Sequence, residues 1–250
     1  MESITGSEII GTTSDGFKFV VRPGSDDHLA MGGHETALGP TLSSMAKRCH
    51  PDDLVVVVGA HVGLWAVRLG KLRQVVAYEA NAATAATLGR NVALNPGVRV
   101  EIHSVAVWDR VGEWMHLVDR YDRIEGGSTR VEPDPHGEVW TTTLDSDFIT
   151  TANRVGLIVM DVEGAEAAVL RGARDVLLRD RPSMVIEMHV GHPGTPPDLR
   201  EQVEEELTET HYEWTSLELT GERYICRPLE EGLPPDFEVT SVRCGEPEPE

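Results

Sequence analysis

Positive charge is scarce in this chain of 250 residues, where 22 lysines and arginines stand against 42 aspartates and glutamates for a formal net charge of −20. So acidic a balance keeps a protein soluble and disfavours a loose electrostatic grip on nucleic acid or an anionic membrane. Lysine is nearly missing, with Lys18, Lys47 and Lys71 the only examples, a skew that reflects GC-rich coding more than mechanism. Cysteine is equally sparse. Cys49, Cys226 and Cys244 are odd in number and widely spaced, which supports neither a disulfide framework nor a zinc cluster and fits a reducing compartment. No run approaches the ~20 apolar residues of a membrane span. The stretch MESITGSEIIGTTSDGF lacks the basic region and apolar core of a secretory signal. The expectation is a cytoplasmic protein whose partner is a small-molecule substrate, with no nucleic acid and no membrane, and with homo-oligomerisation left open.

What is present is an apolar share of 40%, enough for a sizeable core, and α/β chains of this length are commonly one domain. Residues 1–50 alternate short apolar patches such as FKFVV with turn-rich text, then offer a helix around TALGPTLSSMAKRC. They read as an N-terminal extension, a lid or an edge. From Leu54 the text changes. LVVVV is a continuous apolar run between Asp53 and Gly59, the mark of a strand buried on both faces. The helix LWAVRLGKL, the strand QVVAYE and the helix ATAATLGRNVALN follow. VRVEIHSVAV is a third strand, continued by hairpin-like text to residue 118, and residues 119–139 read as one long polar loop, a length that is usually functional or disordered. TTTLDSDFITT gives a short strand and a helix, GLIVMD a strand, GAEAAVLRGARDVLLRD a single helix and PSMVIEMH a strand. PDLREQVEEELTETH reads as an acidic surface helix, and YEWTSLELTGERYICRPL as two strands around Thr220 and Gly221. The fold expected is α/β: a Rossmann-like, doubly wound, mostly parallel sheet over residues 51–244 with a C-terminal antiparallel hairpin. The last residues, 245–250 (GEPEPE), are too polar to bury anything.

The first strand empties into Gly59-Ala60-His61-Val62-Gly63. Glycines at such a turn let backbone approach a ligand and let the next helix present free N–H groups. The spacing is not the G-x-G-x-x-G that cradles a dinucleotide pyrophosphate. Twenty residues past Gly59 the next strand ends in Glu79, placed to accept hydrogen bonds from a ribose diol. A ribose acceptor without a pyrophosphate cradle points to a nucleoside ligand lacking phosphates, with S-adenosylmethionine the obvious one. A lone turn histidine such as His61 is more often a surface residue than a ligand contact. Asn81 is better placed to cap the following helix than to touch a ribose.

The segments VVVVGAHVGLWAV, VVAYEANAATAATLGRNVALN, SVAVWDRVG, TTTLD, LIVMDVEGAEAAVLRGA and PSMVIEMH together resemble the FkbM family of S-adenosylmethionine-dependent methyltransferases. The D-x-E-G-x-E element from Asp161 to Glu166, followed by V-L-x-G-A, carries most of the specificity. The resemblance implies a class I methyltransferase fold and O-methylation of a hydroxyl on a sugar, polyketide or other secondary metabolite. It places Gly59, Ala60, His61 and Gly63 at the methionine end of the cofactor, Glu79 on the ribose, and Ser104, Val105 and Ala106 near the adenine. Ala80, Asn81 and Asp161 complete the candidate cofactor set. Two positions depart from the family pattern: Val57 stands where an acid usually helps orient the cofactor's amino group, and His61 where asparagine is usual. They motivate a second reading, a non-catalytic nucleoside-binding protein that kept the fold. A third, an NAD-dependent oxidoreductase, fits Glu79 but not the glycine spacing.

Methyl transfer from a sulfonium is an in-line displacement, so holding the nucleophile aligned is most of the task. An alcohol also benefits from a base. The candidates are Asp161, Glu163, Glu187 and His189, which converge on one cleft if the strands GLIVMD and VIEMH are adjacent. Each has a plainer alternative. Asp161 could merely cap the next helix, and a strand-end histidine is often just hydrogen-bonded structure, although His189 is the natural base near neutrality. Glu187 is the hardest to dismiss, because a carboxylate inside PSMVIEMH is costly to bury without a partner. Glu166 reads as a helix-dipole or surface-pair residue. The oxygen-rich set also suits Mg or Mn, a reading ranked below direct substrate binding, and no spacing is a metal signature. His34, Glu35, Tyr121, Arg123 and Arg130 are polar handles for a substrate, each individually more plausible as ordinary surface.

Overall fold

The computed structural model describes residues 9–21, 38–119, 129–216 and 223–229. His34, Glu35, Tyr121, Arg123, the turn at Thr220–Gly221 and the tail at 245–250 lie outside them. The chain opens with an antiparallel pair, β1 (Ile9–Thr12) and β2 (Lys18–Val21), and a helix α1 (Leu38–Arg48). Then come β3 (Leu54–Val58), α2 (Leu64–Gly70), β4 (Val75–Tyr78), α3 (Ala82–Leu94) and β5 (Val100–His103). Four short strands follow: β6 (Ala106–Val107), β7 (Trp114–Asp119), β8 (Thr129–Pro133) and β9 (Val139–Thr142). The second half holds α4 (Leu144–Phe148), β10 (Val155–Met160), α5 (Glu166–Arg171), α6 (Arg174–Asp180), β11 (Ser183–Glu187), α7 (Leu199–Glu209), β12 (Tyr212–Ser216) and β13 (Arg223–Pro228).

The main sheet has seven strands in the order β12-β13-β11-β10-β3-β4-β5. The pairs β11–β10, β10–β3, β3–β4 and β4–β5 are parallel, and β13 runs antiparallel to both its neighbours. Valine-rich strands form because both faces must be covered. Val56, Val58, Ile158, Met160, Met184 and Ile186 join one apolar cluster with residues of α4, α5, α6 and α7. The alternate residues Val55, Val57, Leu157, Val159 and Val185 join another with α1, α2 and α3, so side-chain alternation along each strand splits the core into two layers. Chain order runs outward from β3 through β4 to β5, then jumps to β10 on the other side of β3. The crevice at the carboxyl ends of β3 and β10 is therefore the topological switch point, where open parallel sheets bind ligands.

Three expectations are corrected. The helix read as a lid or edge is a core element: Leu38, Leu42 and Ala46 of α1 are buried in the second cluster. Residues 119–139 are not one loop, because 129–133 forms β8, which pairs with β7 in a separate four-stranded sheet of order β6-β9-β7-β8. The single helix expected after Asp161 is two helices, α5 and α6, parted at Gly172. A Cβ on that glycine would meet the Trp108 carbonyl oxygen at 2.0 Å, so backbone from the small sheet presses into the helix there.

The N-terminal hairpin is tied to α3 by two asparagines. Asn91, fully buried, accepts from the Val20 amide at 2.8 Å and donates to the Val62 carbonyl at 2.7 Å. Asn95 accepts from the Lys18 amide and donates to the Lys18 carbonyl. An apolar residue at 91 would leave both backbone groups without their partner. Asn91→Ala is expected to cost about 2–3 kcal/mol and lower Tm by roughly 5–10 °C, measurable by thermal unfolding, whereas an unchanged Tm would mean that the hairpin is not held this way.

Candidate active site

At the switch point, β3 turns through Gly59 (φ 76°), His61 (φ 49°) and Gly63 (φ 97°). A Cβ on Gly59 would lie 1.7 Å from the Asp161 carbonyl oxygen, so only glycine lets the backbones leaving β3 and β10 come this close. On the other side, Glu79 follows β4. Its carboxylate accepts from the His61 amide at 2.8 Å and from the Asn81 amide at 2.9 Å. Burial pushes the Glu79 carboxyl up, against the opposing pull of those two amides. Each oxygen accepts one of these bonds and keeps a second lone pair. Asn81 caps α3, its side-chain oxygen accepting from Ala83 and Thr84, which is the capping role preferred on sequence.

These elements enclose a cavity of about 360 Å³, within the size range of small-molecule sites. Of the candidate cofactor residues, Gly59, His61, Glu79, Ala80, Asn81, Val105, Ala106 and Asp161 line it. Ala60, Gly63 and Ser104 do not: Ala60 is buried, Ser104 is exposed, and Gly63 sits beneath Leu88, which a Cβ there would strike at 2.2 Å. Val107 lines the wall past Ala106, and Thr129 and Val131 of β8 supply part of it. No sequence signal marked β8 as a wall, since its burial has no clean alternation. Val57 is 3% exposed and packs among Val55, Ala77 and Val159, so the usual acid at that position is replaced by apolar core.

The D-x-E-G-x-E element forms the far wall. Asp161 and Glu163 line the cavity. Glu163 adopts φ 54°, costly for a residue with a side chain, and Gly164 follows at φ 109°. A Cβ on Gly164 would meet the Thr195 methyl at 2.6 Å, so the loop after β11 seats itself on this turn. That loop brings His189, 5% exposed. Its Nδ1 lies 2.7 Å from Glu166 Oε1, and its Nε2 lies 3.5 Å from both Asp161 Oδ1 and Glu163 Oε2. Burial pulls the imidazole pKa down, but the Glu166 hydrogen bond and the charges of Asp161, Glu163 and Glu166 outweigh it and raise the pKa to about 9.

Three readings made on sequence change here. Glu166 sits in the first turn of α5, as the helix-dipole reading has it, but it is no surface-pair residue: its side chain is 0% exposed and it anchors His189. Its Oε1 also accepts from the Gly164 amide at 3.1 Å. Glu187 does not join Asp161, Glu163 and His189. It pairs with Arg223 at 3.0 Å, its register partner on β13, so the carboxylate inside this strand is only partly buried and has that guanidinium as its partner. His189 is not the isolated base near neutrality that its residue type suggested, because Asp161, Glu163 and Glu166 surround its ring and raise its pKa. The hard-cation set of three carboxylates and one histidine loses Glu187 for the same reason. The residue that sequence reading missed is His192, whose ring stacks edge-on to His189 at 5.2 Å. The available signal was the spacing His189-Val190-Gly191-His192.

The seven-stranded order, with one antiparallel strand inserted beside the last parallel one, is that of the class I methyltransferase fold. A family model described as the methyltransferase FkbM domain matches residues 58–215, and the chain belongs to that family. Solved structures with similar folds include an FkbM methyltransferase from Methylobacillus flagellatus KT, at 20% identity and TM-score 0.45. It covers 70% of this chain, which spans 44% of that protein's length. A ribosomal protein L11 methylase from Lactobacillus delbrueckii subsp. bulgaricus matches at 15% identity and TM-score 0.46, over 79% of this chain and 81% of its own. M. jannaschii TYW2, solved in complex with AdoMet, matches at 14% identity and TM-score 0.45, over 90% and 86%. A search of curated proteins finds no match. Among the described residues no helix is long and apolar enough to cross a membrane.

Proposed function

We propose that this chain is an S-adenosylmethionine-dependent O-methyltransferase acting on a hydroxyl of a small or medium-sized natural product such as a sugar or polyketide. The observation that carries the reading is the cavity at the switch point. It has a backbone approach that only glycine permits at residue 59, a half-buried carboxylate at Glu79 with a second lone pair on each oxygen, and two further carboxylates on the opposite wall. Gly59, His61 and Glu79 would hold the methionine and ribose parts, and Val105 to Val107 the base. The cofactor supplies an electrophilic methyl group. Glu79 keeps the glycine turn in shape through the His61 amide and would accept from the ribose hydroxyls.

Asp161 is the base of this reading. Its side chain is 46% exposed and lines the cavity, and it sits 3.5 Å from the His189 ring. It can take the acceptor hydroxyl's proton, and the His189 ring behind it steadies its position. His189 and Glu166 are positioning residues. They hold the Asp161–Gly164 turn against the loop after β11.

Calorimetric titration with S-adenosylmethionine and S-adenosylhomocysteine tests the cofactor half. Saturable binding is expected, and Glu79→Ala should weaken it about 10–100-fold, the worth of charge-assisted bonds to a half-buried carboxylate. Absence of binding by the wild-type chain would overturn the reading. Incubation with candidate acceptors, read as a mass gain of one methyl group, tests the transfer itself.

A further inference from the structure

We propose that Glu163, His189 and His192 form a binding site for a divalent first-row transition-metal ion at the back wall of the cavity. One ligand atom from each of the three lies within 4.8 Å of the others. The separation of His189 Nε2 from Glu163 Oε2 is 3.5 Å. That is long for a hydrogen bond, and it matches the ~3.4 Å edge between two ligands held at about 2.1 Å on a tetrahedral ion. The third ligand comes from His192, which is only partly buried, on the loop after β11. The turn carrying both histidines is itself held, with the His192 amide on the His189 carbonyl and the His192 carbonyl accepting from the Thr195 amide and hydroxyl.

The second observation is the carboxylate behind the ring. A metal-bound imidazole commonly donates its other nitrogen to a carboxylate, which fixes the tautomer and aims the ligand. Glu166 Oε1 accepts in this way from His189 Nδ1 at 2.7 Å, with a side chain that is fully buried. Nε2 is thereby aimed at Glu163 and Asp161, each 3.5 Å away. Two imidazoles and one carboxylate suit zinc, iron, cobalt or manganese, and suit magnesium or calcium poorly. The inference therefore replaces the oxygen-rich set considered on sequence with a softer one. Of the three, Glu163 lines the cavity. On the O-methyltransferase reading, on which this part rests, an ion held there would take oxygen donors of the acceptor at its remaining positions. A hydroxyl bound to the ion loses its proton more readily, and Asp161 is there to receive it.

The full chain, stripped with chelator and dialysed, is titrated with Co²⁺, Zn²⁺, Mn²⁺ and Mg²⁺ by calorimetry, and with Co²⁺ by visible absorption. About one equivalent of Zn²⁺ or Co²⁺ should bind, Co²⁺ showing the ligand-field bands of an imidazole-containing site, while Mg²⁺ binds at least tenfold more weakly. His192→Ala and Glu163→Gln should each weaken Zn²⁺ at least tenfold, and Glu166→Gln about 10–100-fold. His116→Ala, on the exposed face of the small sheet, should leave it unchanged. Circular dichroism checks that each variant is folded. Failure of Zn²⁺ and Co²⁺ to bind, or binding that His192→Ala leaves intact, overturns the proposal. Cofactor titration of the same samples is read separately, so a protein that binds metal but no S-adenosylmethionine would sink the methyltransferase reading and leave the metal site standing.

Discussion

Gly59→Ala is expected to lose more than about 4 kcal/mol of stability, or to leave the chain insoluble, and to weaken S-adenosylmethionine binding by more than roughly 100-fold in whatever folds. Two costs combine. The left-handed backbone at φ 76° strains any residue with a Cβ by about 1–2 kcal/mol. The larger cost is the clash. The new carbon would sit 1.7 Å from the Asp161 carbonyl oxygen and 2.7 Å from its carbon. Both are backbone atoms that no rotamer change can move. Relief requires parting the ends of β3 and β10, where the Asp161 amide donates to the Val58 carbonyl at 3.0 Å, and that separation displaces Asp161 from the cavity wall. Gly16→Ala is the matched control, because Gly16 has φ 88° and, among the described residues, nothing lies within 4 Å of where its new methyl would stand. Chemical denaturation of both variants separates backbone strain from the clash. Equal losses at the two positions would show that the β3–β10 contact is not what glycine protects.

That contact explains why so much of the fold was legible in the residues alone. β3, β10 and β11 are continuous apolar runs because a parallel sheet between two helical layers has no polar face, and such runs stand out without any partner being known. The glycine turn and Glu79 sit at strand ends for the same topological reason. Elements whose identity depends on distant partners were not legible. β6 spans only two residues and β8 is half exposed, so neither shows alternation, and β9 alternates over only four residues. Gly172 breaks the helix after Asp161 because of Trp108, a residue 64 positions earlier in the chain.

The candidate site divides along the same line. Asp161, Glu163 and His189 were readable as strand-end chemistry. Their grouping with Glu166 was not, because position in a first helical turn suggests exposure, and only the loop after β11, arriving 23 residues later, buries it. Glu187 failed in the opposite sense. A carboxylate within an apolar strand implied a partner nearby, but the partner is Arg223 on β13, whose register with β11 depends on a C-terminal strand inserted antiparallel.

His189→Ala should be the most damaging substitution among the polar residues of the site, costing about 3–5 kcal/mol in chelator-treated protein, because it removes the cation that Asp161, Glu163 and Glu166 share. The Glu166 side chain is 0% exposed and that of Glu163 is 12% exposed, so neither recovers the lost interaction from water. Glu166→Gln keeps the shape and a hydrogen bond while removing one charge, and should cost less, about 1–2 kcal/mol. The double variant is the sharper test. With the carboxylate already neutral, deleting the ring strands one charge fewer, so the combined loss should fall short of the sum by roughly 1–3 kcal/mol. Glu187→Ala with Arg223→Ala supplies the contrast. Glu187's side chain is 28% exposed, and a partly solvated pair should couple by no more than about 1 kcal/mol. Urea denaturation of the two cycles decides the matter: additive losses at Glu166 and His189, or a His189→Ala cost below about 1 kcal/mol, would mean that the ring is not the counterion on which this wall of the cavity depends.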